Sequence, residues 1–195
     1  VNAGLCLPKF VTVTMRLGAP SLNGQNKVNY FEKLCEATRL PEDNRRRTAA
    51  QYIAQTANSE NVTLRGIQHF LRHLVISPCA KEQRQNPRTG EMREDIRIGL
   101  IFLATFYPKS IPTVLSGEFD YTTAVRLFQI PDALDPFAVD FSPKFAWMAC
   151  LGGPSEMEAL EEHFSDQTPK VRRQFDKATV TKIWHEYVNV FQLPT

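Results

Sequence analysis

The side chains with the clearest capacity for chemistry are basic, and they lie in three stretches of the first half of the chain. The first two stretches contain Arg45, Arg46 and Arg47, then Arg65 and Arg72. The third comprises Lys81, Arg84, Arg88, Arg93 and Arg97. Guanidinium and ammonium groups bind phosphate oxygens, which carry no base identity. If the three stretches pack side by side, the sequence predicts one groove that holds a nucleic-acid backbone without reading its sequence.

The same stretches lack the aromatic motifs and zinc-finger spacings that proteins use to recognise bases. The nearest candidates for base stacking, Tyr52 and Phe70, suit a hydrophobic core equally well. We therefore expect the partner to be a single-stranded nucleic acid, RNA in the first instance, bound through its phosphates. An alternative is that Glu42 and Asp43 neutralise the arginine run locally, which leaves an ordinary solvated surface.

Metal binding and catalysis have weaker support. His69 and His73 are four residues apart on a predicted helix, but Phe70, Leu71 and Arg72 stand between them instead of a catalytic glutamate. A cation beside Arg72 would be repelled, so no metal and no cofactor are expected. The chain has no glycine elbow and no phosphate loop, so we predict no catalytic residue. An enzyme whose site assembles only in three dimensions remains the third hypothesis.

Two consecutive helices are predicted to position the central basic residues. Over residues 61–76, apolar side chains recur at helical spacing on one face, while Arg65, His69 and Arg72 share the other. A polar connector over residues 79–91 follows, and residues 91–107 form a helix whose second half is apolar on every side. Such a helix belongs in the centre of the core.

Proline and capping signals divide the remaining chain into further helices. They are predicted at residues 29–39, from Pro41 onward, at 120–129, at 142–151 and at 155–164, the last opened by a capping box from Ser155 to Glu158. The C-terminal stretch has an apolar helical face with one expected break near residues 179–181. The predicted fold is therefore mainly α-helical.

The first 25 residues have a different pattern. Val11, Val13, Met15 and Leu17 alternate with polar residues, which predicts one short β-strand in an extended arm. A single strand cannot satisfy its own backbone hydrogen-bonding groups, and no second strand follows it. We expect the arm to pair with a neighbouring copy, so the predicted partner set includes a homo-oligomer linked through this arm.

The charge distribution supports a division of the chain. Up to Ile98 there are 15 basic and 9 acidic residues, and from Gly99 onward there are 8 and 12. The predicted organisation is an extended arm over residues 1–25, a basic helical lobe with its connector over 26–90, and a helical lobe with acidic bias over 91–195. The two small lobes are expected to share a core, and their opposite charges would attract neighbouring copies.

Compartment is predicted from cysteine usage and hydropathy. Cys6, Cys35, Cys79 and Cys150 are widely separated and form no C-x-x-C pair, which is typical of a reducing compartment such as the cytoplasm. No apolar run approaches the roughly 20 residues of a membrane span, and no secretion signal is visible. An intracellular location, or the interior of a virion, is expected.

These patterns favour a self-assembling, nucleocapsid-like or coat-like protein that packages single-stranded nucleic acid without sequence specificity. The alternative is an intracellular helical module, an adaptor or regulator, that binds another protein through the apolar C-terminal face or the acidic helix near residue 160.

Overall fold

The computed structural model describes residues 24–77, 87–130, 143–163 and 176–191. The predicted strand of the N-terminal arm and the basic residues Lys81 and Arg84 lie outside these ranges. Within them the chain is mainly helical, as predicted, and contains no strand. The division into two lobes stays a prediction.

Nine α-helices and one 3-10 turn follow one another in the described part of the chain. The helices are α1 (Gly24–Thr38), α2 (Asn44–Gln55), α3 (Leu64–Ile76), α4 (Pro87–Phe106), α5 (Ile111–Leu115), α6 (Tyr121–Phe128), α7 (Pro143–Leu151), α8 (Pro154–His163) and α9 (Lys177–Phe191). The 3-10 turn, Pro108–Ser110, joins α4 to α5.

Helix α4 lies at the centre of this arrangement. It packs against α2 and α3 on the N-terminal side and against α7 and α9 on the C-terminal side. From Ile98 to Leu103 every residue is buried, as predicted for the second half of the helix, whereas Ala104 and Thr105 are partly exposed. Helices α2 and α3 each pack against both α1 and α4, so the four helices form a ring of contacts.

Aromatic side chains fill the space around α4. The ring of Phe102 lies 4.5 Å from Phe106, 5.5 Å from Phe70, 5.6 Å from Tyr52 and 6.0 Å from Phe128, measured between centroids. Offset and edge-to-face pairs at such distances stabilise a core beyond the area they bury. Because these rings come from α2, α3, α4 and α6, both predicted lobes contribute to one core.

Two polar side chains of the core form a hydrogen-bonded chain that connects α7, α2 and α4. Trp147 Nε1 donates to Tyr52 Oη at 2.8 Å, and that hydroxyl donates to the backbone carbonyl of Asp95 at 3.1 Å. Gly99 makes the approach possible, because a Cβ built there would lie 2.6 Å from Tyr52 Oη and 2.7 Å from Trp147 Cζ2. A side chain at position 99 would therefore separate the three helices.

Asp95 is fully buried in the same region. Its Oδ1 accepts from Thr48 Oγ1 at 2.7 Å, and its Oδ2 has no hydrogen-bond partner. Burial raises the pKa of Asp95 to about 8 against the pull of the Thr48 hydrogen bond, with Glu91 and Glu94 adding to the rise. The carboxyl is therefore mostly protonated at neutral pH.

The start of α2 differs from the prediction. Pro41 was expected to open the helix, but α2 begins at Asn44, and Asp43 is its N-cap with Oδ1 accepting from the backbone N–H of Arg46 at 3.1 Å. Arg39, at φ 55°, reverses the chain just after α1. Asp43 is thus occupied as a cap.

Two further predictions were wrong at helix boundaries. The predicted capping box of Ser155 and Glu158 does not open α8, which begins at Pro154; instead Glu156 Oε2 accepts from the backbone N–H of Gly153 at 2.9 Å. Helix α9 has no break near residue 180. Thr179 there forms part of the helix start, since its N–H donates to Asp176 Oδ1 at 2.8 Å and Asp176 N–H donates back to Thr179 Oγ1.

No single helix in the described ranges has the length and hydropathy to cross a membrane; α4 and the segment through α5 pass such a test only as a pair bent by 117°.

Candidate nucleic-acid interface

Helix α3 presents a basic outer face and an apolar inner face. Thr63 opens the helix by accepting from the backbone N–H of Gly66 at 3.0 Å. The buried residues are Ile67, Phe70, Leu71 and Leu74, as the periodicity predicted. Arg65, His69 and Arg72 are exposed, and we call these three residues the α3 cationic face. Seven residues of helix rise place Arg65 and Arg72 about 10 Å apart along the axis.

The site predicted from the sequence consists of arginines and lysines and does not include His69. It lies between Arg65 and Arg72 on the same exposed face, where an imidazole N–H can donate a hydrogen bond to a phosphate oxygen. Its neighbour His73 is half-buried, and burial lowers the pKa of His73, with the charge of His69 adding to the effect. The helical spacing of 65, 69 and 72 was the signal that could have included His69.

Arg45 points inward and holds the end of α3. Its Nε donates to Glu94 Oε1 at 2.8 Å, and its Nη1 donates to the carbonyl oxygens of Leu74 at 2.9 Å and Ser77 at 3.0 Å. The last carbonyls of a helix lack partners within the helix, and a guanidinium is well suited to satisfy them. Arg45 therefore acts as a C-terminal cap for α3 supplied by α2.

Arg97 completes the same buried cluster. Its Nη1 lies 3.5 Å from Glu94 Oε2, and its Nη2 donates to Ser77 Oγ. The side chains of Arg45, Glu94 and Arg97 are 11%, 2% and 12% exposed. We call Arg45, Ser77, Glu94 and Arg97 the Glu94 network. These contacts link α2, α3 and α4, and the low exposure of the side chains keeps the charges from a large external ligand.

Two more of the predicted site residues also form ion pairs. Both Nε and Nη2 of Arg46 donate to Glu32 Oε2, the first at 2.7 Å, and this pair joins α2 to α1. Arg93 Nη2 lies 3.5 Å from Glu186 Oε1, which joins α4 to α9. Neither contact was visible as a pattern, because the partners are 14 and 93 residues apart in the chain.

Where their side chains are described, the residues predicted to bind nucleic acid therefore fall into two groups, one exposed and one held in ion pairs. Arg47, Arg65 and Arg72 are exposed. Arg45, Arg46, Arg93 and Arg97 form ion pairs with acidic residues. Arg47 lies on α2 and the other two exposed arginines on α3, and both helices pack on α1 and α4. Arg88 lies in the first turn of α4, where its side chain is not described, and Lys81 and Arg84 fall between the described ranges.

The residues that the structure describes include no group of three or more His, Cys, Asp or Glu side chains arranged to hold a metal ion. The two cysteines among them, Cys35 and Cys150, are buried free thiols. Burial raises the pKa of the Cys35 thiol to about 12 and that of Cys150 further still. Buried thiols of this kind are poor nucleophiles.

Comparison with models of protein families, with curated proteins and with solved structures found no match to this chain.

Proposed function

We propose that this protein binds single-stranded nucleic acid, RNA in the first instance, through phosphate contacts and packages it as a self-assembling, nucleocapsid-like or coat-like protein. The observation that carries the proposal is the α3 cationic face, where two arginines and a histidine share one exposed side of a helix. Cations in a row on a rigid helix can contact successive phosphates and are indifferent to base identity.

The structure changes the set of residues assigned to this function. The contacting groups are proposed to be Arg47 and the α3 cationic face, together with Lys81, Arg84 and Arg88, which keep their assignment from the sequence alone. Arg45, Arg46, Arg93 and Arg97 are proposed instead to be framework residues, because each forms an ion pair within the fold. Their proposed role is to link helices: Arg45 and Arg97 at the junction of α2, α3 and α4, Arg46 between α2 and α1, and Arg93 between α4 and α9.

The test is a titration of a fluorescein-labelled 20-nucleotide RNA with nucleic-acid-free protein at several salt concentrations. Affinity should fall steeply with salt, by about 0.7 log units per decade for each phosphate contact. Substitution of Arg65 and Arg72 by Ala should weaken binding of unrelated sequences equally and reduce the slope by about 1.4. Arg126→Ala, an exposed arginine of α6, is the matched control and should change neither quantity.

A binding constant that does not depend on salt, or that is the same in the Arg65→Ala/Arg72→Ala variant, would contradict the proposal. Preference for one RNA sequence that disappears in the variant would also contradict it, because phosphate contacts carry no sequence information.

A second function, a helical module that binds another protein, is favoured by one observation. Val75 and Ile76 at the end of α3 are 49% and 55% exposed, although both are large apolar residues. The apolar face first assigned to this role is less suitable, because Val180, Ile183 and Trp184 of α9 are buried within the fold. Binding through Val75 and Ile76 would depend little on salt, which separates this function from the first.

A further inference from the structure

A groove of about 520 Å³ lies between the end of α5 and the first half of α9. Leu115 and Ala178 form its apolar part, and Leu115 is 41% exposed. Large apolar side chains at that exposure are uncommon in the described part of this chain, where only Val75 and Ile76 are comparable. The groove therefore offers an apolar surface that a ligand could cover.

Two lysines and a histidine line the same groove. Lys177, Lys182 and His185 contribute to its walls, and all three are exposed. Lys177 also faces Asp120, whose pKa is lowered mainly by hydrogen bonds from Thr123 and in part by this lysine. The neighbouring carboxylate of Asp176 is hydrogen-bonded to Thr179. The groove thus combines an apolar floor with a basic rim, and its chemistry suits an apolar segment that carries carboxylates.

One segment of this chain is both apolar and rich in carboxylates. Residues 131–142 contain three aspartates, Asp132, Asp135 and Asp140, together with Leu134, Phe137, Val139 and Phe141, and no lysine or arginine. The first 23 residues have Lys9 and Arg16 and no acidic residue, so the rim would repel them. Helix α8 has exposed acidic residues, but its apolar residues Met157 and Leu160 are already buried in the core of the chain.

We infer that the α5–α9 groove binds the acidic, apolar segment 131–142 of a second copy of this chain. Apolar side chains of the segment would cover Leu115 and Ala178, and its aspartates would pair with Lys177 and Lys182. The inference deepens the self-assembly part of the proposed function and rests on it. It assigns the link between copies to a charge-complementary contact separate from the N-terminal arm.

The first experiment uses a fluorescein-labelled peptide of residues 130–143 and full-length protein freed of nucleic acid. Fluorescence anisotropy should show saturable binding. Binding should weaken at least tenfold for Lys177→Glu/Lys182→Glu protein, and equally for a peptide with its three aspartates changed to Asn, because both changes remove the charge pairing. Lys33→Glu, an exposed lysine of α1, is the control and should leave the affinity unchanged. Leu115→Ser should weaken binding without changing the salt dependence.

The second experiment uses sedimentation velocity of the full chain. Lys182→Glu should shift the protein toward smaller species, and mixing it with an Asp135→Lys/Asp140→Lys chain should restore association between the two. Absence of peptide binding, or binding unaffected by the lysine and aspartate changes, would overturn the inference. RNA affinity of the same preparations, measured with the Arg65→Ala/Arg72→Ala variant beside them, shows separately whether the proposed function stands.

Discussion

Arg45 Nε lies 2.8 Å from Glu94 Oε1, so a residue at the start of α2 neutralises a carboxylate on the central helix α4. The same guanidinium caps α3 through the carbonyl oxygens of Leu74 and Ser77. One side chain therefore connects three helices, and its contribution is to stability.

Arg45→Ala should lower the free energy of unfolding by about 3 to 5 kcal/mol. The variant leaves the Glu94 carboxylate buried with only Arg97 of the described residues, 3.5 Å away, to offset its charge. Arg47→Ala, two positions later and exposed, should change stability by less than about 0.5 kcal/mol. Urea denaturation followed by circular dichroism provides the comparison. Equal stabilities of the two variants would show that Arg45 does not have the structural role assigned to it.

For RNA binding we expect the reverse: Arg47→Ala should lose affinity and Arg45→Ala should not. Arg47→Ala removes an exposed cation, so it should weaken binding by a few-fold for every RNA sequence at low salt. Arg45→Ala, measured at a temperature where it is folded, should bind as the unchanged protein does. A larger loss of affinity for the Arg45 variant than for the Arg47 variant would mean that the Glu94 network opens to bind RNA.

Stability should depend on pH through Asp95. The pKa of this carboxyl is about 8 in the folded protein and 3.8 as its ordinary value. Between these values the folded state binds one proton more than the unfolded state, so stability is greatest below about pH 4 for this group and falls as pH rises to about 8. The slope should approach 1.4 kcal/mol per pH unit at most.

Asp95→Asn tests this expectation, because an amide keeps a partner for Thr48 but does not titrate in this range. Denaturation of both proteins at pH 5, 6, 7 and 8 should show the difference in their unfolding free energies changing steadily with pH. Parallel stability profiles would place the origin of any pH dependence elsewhere.

Gly99→Ala should destabilise the junction of α2, α4 and α7 by about 1 to 3 kcal/mol through overpacking against Tyr52 and Trp147. Tyr52→Phe removes the hydroxyl that lies nearest to the added methyl group. The two changes together should therefore cost less than the sum of their separate effects in a double-mutant cycle. Strict additivity would contradict the close approach at Gly99.

The thiols of Cys35 and Cys150 should be unreactive in the folded protein. In a Cys6→Ser/Cys79→Ser background, iodoacetamide at pH 8 should modify neither remaining cysteine until denaturant is added, because burial disfavours the thiolate. Mass spectrometry of the alkylated protein measures this directly. Rapid modification of Cys150 under native conditions would indicate that α7 opens locally.

Local patterns predicted much of this fold. Apolar periodicity identified α3 and α4, and prolines marked the starts of α7 and the end of α4, because these signals act within a few residues of chain. The extra first turns of α1 and α4 and the start of α2 at Asn44 were not predicted, since helix ends depend on single caps such as Asp43. At α9 the β-branched residues near Thr179 suggested a break, but its reciprocal hydrogen bonds with Asp176 mark the helix start.

The candidate site was less predictable than the helices. The sequence pattern does not distinguish an arginine that binds a partner from an arginine that binds a carboxylate of its own fold. Arg45 and Glu94 are 49 residues apart, and only the packing of α2 on α4 brings them together. The helical period, by contrast, correctly placed Arg65 and Arg72 on an exposed face, because that arrangement depends on α3 alone.

The capped end of α3 has a mechanical consequence. In the complex proposed above, RNA under tension would pull on the α3 cationic face, and the contacts of Arg45 and Arg97 at the end of α3 would transmit the force into α2 and α4. Three helices would then share a pull that an isolated surface helix would have to resist by itself, so the same contacts could hold a stretched polymer without peeling α3 from the body.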